Sequence, residues 1–171
     1  MNLQPILTNT LVTATPLASS HFDQLFAVAS DATIWAQHPN PLRYQLSFFA
    51  KYFEGAMVSG GAFIITDTAS GQVIGSTRYS RLQQAISVDI GYTFYATAYW
   101  GKGYNHSLKK MMLSHAFQYV PKVRFFIGAS NLRSQISIER LGAFKVGEQT
   151  MAYHGEAPMH NFEYNILHTI I

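Results

Sequence analysis

The order of extended and helical segments along this chain of 171 residues predicts an α+β domain built on a mixed, mostly antiparallel sheet. Three observations predict it. Two segments of helical period precede a run of three β-patterned segments. Hairpin turns punctuate that run. One later strand is reached only through a long helix, which makes a parallel β-α-β crossover. The length suits a single domain over residues 1–171, large enough to bury a core without a metal or a disulfide.

The elements follow in order. Leu11–Leu17 alternates weakly and meets Pro16, which suits a short edge strand. Ser19 or Ser20 caps a helix over His21–Ser30, where Phe22, Leu25, Phe26 and Ala29 recur at helical spacing. Prolines and turn formers make Asp31–Pro41 a loop, in which Trp35 and His38 are unusual residues. Gln45–Val58 is a second helix, with Leu46, Phe49, Tyr52, Phe53 and Ala56 on one side. Ala62–Thr66 and Gln72–Ser80 pair through the turn Asp67–Gly71, and a turn near Leu82–Gln84 leads into a third strand, Ala85–Tyr95. Tyr104–Tyr119 is a helix whose stripe is Tyr104, Leu108, Met111, Met112 and His115. Its wet side is Ser107, Lys110, Ser114 and Gln118, and Pro121 stops it. Val123–Gly128 is a short apolar strand. Asn131 caps a helix through Leu141, with Gly142 just past its end. The strands Phe144–Tyr153 and His160–Leu167 flank the turn His154–Pro158 and complete the order β-α-α-β-β-β-α-β-α-β-β.

Composition removes several classes of function. There is no cysteine, which excludes disulfide frameworks, zinc ribbons, iron–sulfur sites and a thiol nucleophile. With 14% aromatic and only 12% charged residues, long disorder is excluded. No apolar run is long enough to span a membrane, and the N-terminal residues lack the pattern of a signal peptide, so a cytoplasmic protein is expected. Residues 1–77 hold two basic groups against four acidic ones, whereas 78–171 hold ten against five. The excess is greatest over 100–145, where eight basic groups face Glu139 alone. No face carries a dense Lys/Arg run, so this suits a phosphorylated small ligand better than a nucleic acid.

The most informative stretch runs from Ile90 to His106: a strand ends, glycines follow, and a long helix opens. Glycine there lets backbone N–H groups approach a ligand, and the helix N-terminus adds positive potential, which favours phosphate. A tight strand-to-helix connection needing two glycines explains the same residues equally well. The spacing fits neither a Walker loop nor a dinucleotide fingerprint, since His106 stands where a third glycine belongs.

Together with Ile127–Ala143, this stretch resembles the GNAT superfamily of acyl-CoA-dependent N-acyltransferases, and within it the branch of ribosomal-protein N-terminal acetyltransferases. Trp100-Gly-Lys-Gly103-Tyr-Asn105 is similar to the branch's variant of the pyrophosphate loop, with Asn105 in place of the usual small residue. Asn131, Ser134 and Glu139-Arg-Leu-Gly142 match the later elements, and Gly71-Gln-Val-Ile-Gly75 the start of the third strand. The resemblance implies a three-layer arrangement with helices on both faces of the sheet. Acetyl-CoA would lie in a splay between the fourth strand, Ala85–Tyr95, and the fifth, Val123–Gly128. Amides from Trp100, Gly101, Lys102, Gly103, Tyr104 and Asn105 would hold the pyrophosphate. Ile90, Gly91, Tyr92, Thr93 and Phe94 would pair with the pantetheine, and Asn131 and Ser134 would contact its far arm. Lys102 and Arg133 are partners for other phosphate groups or plain surface charges.

The reaction so implied needs a neutral amine, a donor for the developing oxyanion and a base. A backbone N–H near Tyr92 is the expected donor. Asp89, sharing a strand face with Gly91 and Thr93, is the expected base; the competing reading is an exposed residue paired with Arg78 or Arg81. His154 and His160 border the acceptor region or are ordinary surface residues. Many relatives carry a tyrosine acid seven residues after the motif asparagine. Ile138 stands there, which leaves Ser134, Tyr92 or water for that part. Trp35, His38, Tyr44, Phe48 and Tyr52 would form an aromatic acceptor wall, suited to a peptide N-terminus or a small amine rather than a polyamine. Plain packing of two helices is the competing reading, and the stronger one for Phe48 and Tyr52. The expected protein is an acetyltransferase, monomeric or homodimeric, working without a metal. A non-catalytic acyl-CoA-binding domain of the same fold is the alternative.

Overall fold

A computed structural model describes residues 1–168. Its strands are β1 (Leu7–Thr8), β2 (Val12–Pro16), β3 (Ala62–Asp67), β4 (Val73–Gln83), β5 (Ser87–Tyr95), β6 (Lys122–Gly128), β7 (Phe144–Met151) and β8 (Met159–Leu167). The helices are α1 (Phe22–Ala29), α2 (Leu46–Val58), α3 (Tyr104–Ala116) and α4 (Leu132–Glu139). All eight strands join one sheet in the order β1-β2-β3-β4-β5-β6-β8-β7. Every neighbouring pair is antiparallel except β5–β6, the crossover that α3 provides. The α+β class and the mostly antiparallel sheet are therefore as the sequence predicts.

Two buried clusters lie on opposite faces of the sheet. On one, Leu108, Met112, Leu113 and Ala116 of α3 and Ile138 of α4 pack on Ile65, Ile74, Val88, Ile90 and Val123. On the other, Leu25 and Ala29 of α1 and Phe49, Tyr52, Phe53 and Ala56 of α2 pack on Ile64 and Phe94. Burial of these apolar faces holds the helices against the sheet, since neither α1 nor α4, at eight residues each, is long enough to be stable alone.

Several boundaries differ from expectation for local reasons. β1 has no signature in the sequence, because only Leu7 and Thr8 pair, with Ala14 and Thr13 of β2. Neither Ser19 nor Ser20 caps α1. Both lie in a 3-10 turn ahead of it, where the His21 Nδ1 accepts the Ala18 N–H at 3.1 Å. The loop after α1 contains a further 3-10 turn, Ala32–Trp35, capped by Asp31. β4 continues to Gln83, so the turn falls at residues 84–86, with Ala85 at φ +56°. α3 ends at Ala116, where the chain unwinds into turns before Pro121: the Tyr119 and Val120 N–H groups both reach the Ala116 carbonyl. The Asn131 cap is formed as expected, its Oδ1 accepting the Ser134 N–H at 3.2 Å, and Gly142 at φ +93° follows α4.

Gly75 marks a close approach of two backbones. A Cβ there would overlap the Phe94 carbonyl oxygen across the β4–β5 ladder. The Gly75→Ala variant is expected to lose about 3 kcal/mol of stability. Urea unfolding would show this as a lower midpoint at unchanged slope, and a wild-type midpoint would contradict this packing.

Candidate active site

β5 and β6 are paired only at Val88 with Val123 and at Asp89 with Arg124. Beyond that point β5 stays bound to β4 as far as Tyr95, and β6 to β8 as far as Gly128. The edges that face each other therefore diverge and lose their ladder, and a cleft of about 890 Å³ opens between them. Ser134, Ser137 and Ile138 of α4, with Lys109 of α3, border it from one side, and Ile34, Trp35, His38 and Pro39 from the other. Gly128 lets the loop close over the end of β6, since a Cβ there would overlap the Pro39 ring.

A bulge shapes the middle of the cleft. Between the pairs Ser76–Phe94 and Arg78–Gly91, β4 has one residue, Thr77, and β5 has two, Tyr92 and Thr93. Tyr92 takes φ +55°, a conformation that costs a tyrosine about 1–3 kcal/mol. Its surroundings hold it there. The Tyr52 hydroxyl donates to its carbonyl at 2.7 Å, the Arg78 guanidinium lies 3.3 Å above its ring, and Tyr153 meets the ring edge-on. The extra residue breaks the strand's alternation. Thr93 consequently turns to the α3 side, where it accepts from the Lys109 ammonium, while Asp89 lies on the opposite face with Arg124. The expectation that Asp89 and Thr93 share a face is corrected by this bulge.

At the wide end, Gly101 (φ +71°) and Gly103 (φ +85°) turn the chain into α3. A Cβ at Gly101 would meet nothing within 4 Å, and one at Gly103 only Leu11 Cδ2, at 4.0 Å. Among the described residues, the amides of Gly101, Lys102 and Gly103 make no hydrogen bond. Together with the first N–H groups of α3 they form a row of free donors at a helix N-terminus. Trp100 is fixed by its indole N–H to the Tyr95 carbonyl (2.9 Å), and the Arg133 guanidinium lies 3.9 Å over its ring. Arg133 also donates to the Ile34 carbonyl at 3.0 Å, so it joins α4 to the loop across the cleft. Asn105 of α3 donates to Ser137 of α4 at 2.9 Å. Its Oδ1 and the Tyr95 hydroxyl are both buried without partners. Ile90, Gly91, Tyr92, Thr93, Phe94, Trp100, Gly101, Gly103, Tyr104, Asn105, Asn131, Arg133 and Ser134 all line the cleft. Lys102 is exposed and does not.

At the narrow end Asp89 is buried rather than exposed. It is shared by Arg124, whose Nε donates at 2.7 Å, and by Arg81. Burial pushes the Asp89 carboxyl above the ordinary carboxylate range, and the two guanidinia pull against it. His38 is held far below the usual imidazole range by burial and by Arg43, so it is neutral. The Asn40 N–H donates to the imidazole Nδ1 at 2.9 Å, and the Arg43 guanidinium lies 3.1 Å from Nε2. Of the expected acceptor wall, Trp35 and His38 line the cleft. Tyr52 lies behind Tyr92, and Tyr44 and Phe48 stand away from it. His154 and His160 are half-exposed outside the cleft, beside Glu54 and Glu148.

Sequence reasoning missed Lys109, counting it only within a local positive excess. Its signal was there: Leu108, Lys109, Met112, Leu113 and Ala116 follow the i, i+4 spacing of an inward face.

The family comparison decides what this cleft belongs to. Residues 12–143 match the model of the acetyltransferase (GNAT) domain. The chain belongs to the GNAT acetyltransferase family. Solved structures share its fold. A probable GNAT-family acetyltransferase from Chromobacterium violaceum superposes with a TM-score of 0.80 at 17% identity, covering 95% of this chain and 85% of that one. RimJ of Mycobacterium smegmatis, in complex with CoA-disulfide, gives 0.69 at 15%, covering 92% and 82%. The microcin C7 self-immunity acetyltransferase MccE, in complex with acetyl-CoA and AMP, gives 0.74 at 13%, covering 93% of each. No curated protein matches the sequence. GNAT proteins use acetyl-CoA, and the residues present here fit it. The open strand edges suit an amide-bearing chain, the free amides suit a pyrophosphate, and two buried polar atoms in the cleft lack partners. No group of three or more His, Asp or Glu placed to hold a metal occurs among the described residues.

Lys109 gives the GNAT core a measurable titration. Its ammonium donates to Thr77 and Thr93 at 2.8 and 2.7 Å and pairs with no carboxylate among the described residues. Burial drives its pKa from 10.5 down to about 7. The folded protein therefore binds fewer protons than the unfolded one between those two values, so this group makes stability rise as pH increases across that window. Lys109→Met is expected to be more stable than wild type at pH 7, with the difference shrinking by pH 9.5 in urea unfolding. A difference independent of pH would contradict a buried, unpaired ammonium.

Proposed function

We propose that this protein transfers the acetyl group of acetyl-CoA to a primary amine, a peptide N-terminus or a small amine, by direct attack within a ternary complex. The observation that carries the reading is the cleft's double character: two unpaired strand edges lead to a row of free amides at the N-terminus of α3. Bound there, acetyl-CoA would supply an activated acyl group. Gly101, Lys102, Gly103, Tyr104 and Asn105 would hold its pyrophosphate through backbone N–H groups, with Trp100 and Arg133 as a stacked wall beside them. The edge from Ile90 to Phe94 would pair with its amides, and Asn131 and Ser134 would meet its far arm.

At the bulge, one peptide of β5 leaves the ladder, which supports the backbone N–H near Tyr92 as the oxyanion donor. Asp89 would accept the amine proton through water. Each carboxylate oxygen keeps a lone pair beyond its arginine contact, and burial raises its basicity. Ile138 is buried and has no acidic proton to give, so Ser134, Tyr92 or water would protonate the leaving thiolate. No helix among the described residues is long and apolar enough to cross a membrane, and a cytoplasmic location fits a protein drawing on acetyl-CoA.

Calorimetry with acetyl-CoA tests the cleft. Micromolar binding is expected for wild type. Gly103→Asn should retain it, since asparagine tolerates positive φ, whereas Gly103→Glu should abolish it by placing a carboxylate among the phosphate donors. No binding at millimolar acetyl-CoA would sink the proposal. Asp89→Asn should bind acetyl-CoA as wild type does but lower kcat by about 100-fold and flatten the acid limb of the pH–rate profile. Binding without turnover on any amine would mark a non-catalytic acyl-CoA-binding domain instead.

A further inference from the structure

The face of the sheet that bears Asp89 and Tyr92 carries more positive charge than it neutralises. Four guanidinia lie there on aromatic rings: Arg43 and Arg78 over Tyr52, with Arg78 also over Tyr92, and Arg81 and Arg124 over Phe126. Among the described residues two carboxylates form ion pairs with them. Glu156 is committed to Arg43, which donates to its Oε1 through Nε at 2.8 Å and Nη2 at 2.6 Å. Asp89 is divided between Arg81 and Arg124. Arg78 is 4% exposed, forms no ion pair among the described residues, and has a buried Nε without an acceptor. A guanidinium does not lose its proton in a protein, and the Arg81 side chain is 46% open to solvent, so Arg78 is the buried charge that stands without a partner. Glu163, opposite Phe126 in the β6–β8 ladder, shares the face of Arg124 but forms no ion pair among the described residues. His38 is neutral, burial raises Tyr52 and Tyr153 above the ordinary phenol range, and Glu54 and Glu148 are exposed outside the cleft.

A buried charge without a partner is expensive, and a site arranged this way favours whatever brings the missing charge. Arg43, Arg81, Asp89, Tyr92 and Tyr153 line the cleft between its narrow end and the bulge, where the acceptor would enter, and Arg78 lies directly behind Tyr92. We infer that the acceptor is an amine that itself carries an anionic group, a carboxylate or a phosphate, seated against this arginine layer. This rests on the acetyl-transfer reading and narrows it, excluding polyamines and other purely cationic amines.

The test uses matched pairs of acceptors under steady-state turnover. Peptides beginning Ala-Asp and Ala-Asn share an amine of nearly equal basicity; phosphoethanolamine and ethanolamine, compared at equal concentrations of neutral amine, test phosphate. The anionic member of at least one pair should show roughly tenfold higher kcat/KM, mostly through KM, and added salt should reduce that advantage. Which pair responds tells carboxylate from phosphate. In Arg78→Met and Arg81→Gln the ratio within the pair should fall towards one. That ratio, unlike either rate, does not change when a variant merely loses folded protein. Ratios of one or below in wild type, or ratios untouched by both substitutions, overturn the inference while leaving acetyl transfer standing. Silence towards every amine despite acetyl-CoA binding overturns both.

Discussion

The divergence of β5 from β6 is the constraint on which the rest of the molecule depends. Two pairs, Val88–Val123 and Asp89–Arg124, tie the halves of the sheet together, and past them each strand follows a different neighbour. β8 makes this possible. By lying between β6 and β7 it pairs with β6 along its whole length, so β6 needs nothing from β5 to be a stable strand. The backbone groups on the facing edges stay out of the ladder while the other edge of each strand is paired, β5 with β4 and β6 with β8.

Two kinds of charge sit close to that opening, and they are handled differently. Lys109 is buried beneath β4 and β5, held by two threonine hydroxyls, and titrates near neutrality because a neutral amine needs no counterion. The arginines on the other face keep their charge, and the aromatic rings of Tyr52, Tyr92 and Phe126 supply the surfaces on which they lie. The strained Tyr92 belongs to both the backbone and this layer. It forms the bulge in the ladder and its ring covers Arg78, which is why the shape of the cleft and its electrostatics are hard to alter separately.

Much of this was legible from residues alone. The alternation of hairpins and helices gave the element order, and Asn131 and Gly142 marked the ends of α4 because capping chemistry is local. The paired glycines around Lys102 located the turn into α3 for the same reason. What escaped was non-local. Nothing in Gly91-Tyr-Thr says that one extra residue is inserted opposite Thr77, since a bulge is a property of two strands in register. The pairing of Asp89 with Arg81 was legible from their nearness in sequence, whereas Arg124 joins them only because β6 pairs with β5 at that residue. Lys102 shows the reverse: a lysine expected beside a phosphate or at the surface, whose side chain the fold leaves outside the cleft.

The open edges also bear on solubility. Unpaired strand edges are ordinarily templates for association with other chains, and proteins protect them with charge, proline or cover. Here both edges are internal. They converge to full pairing at Asp89, and the Asn105–Ser137 and Arg133–Ile34 hydrogen bonds reach across the space beside them. A second β-strand, which needs about 4.8 Å to each neighbour and room for side chains on both faces, cannot lie along a wedge that closes at one end. An unbranched chain carrying amide groups can. The divergence that leaves these two edges unpaired thus also leaves no room between them for a strand of another chain.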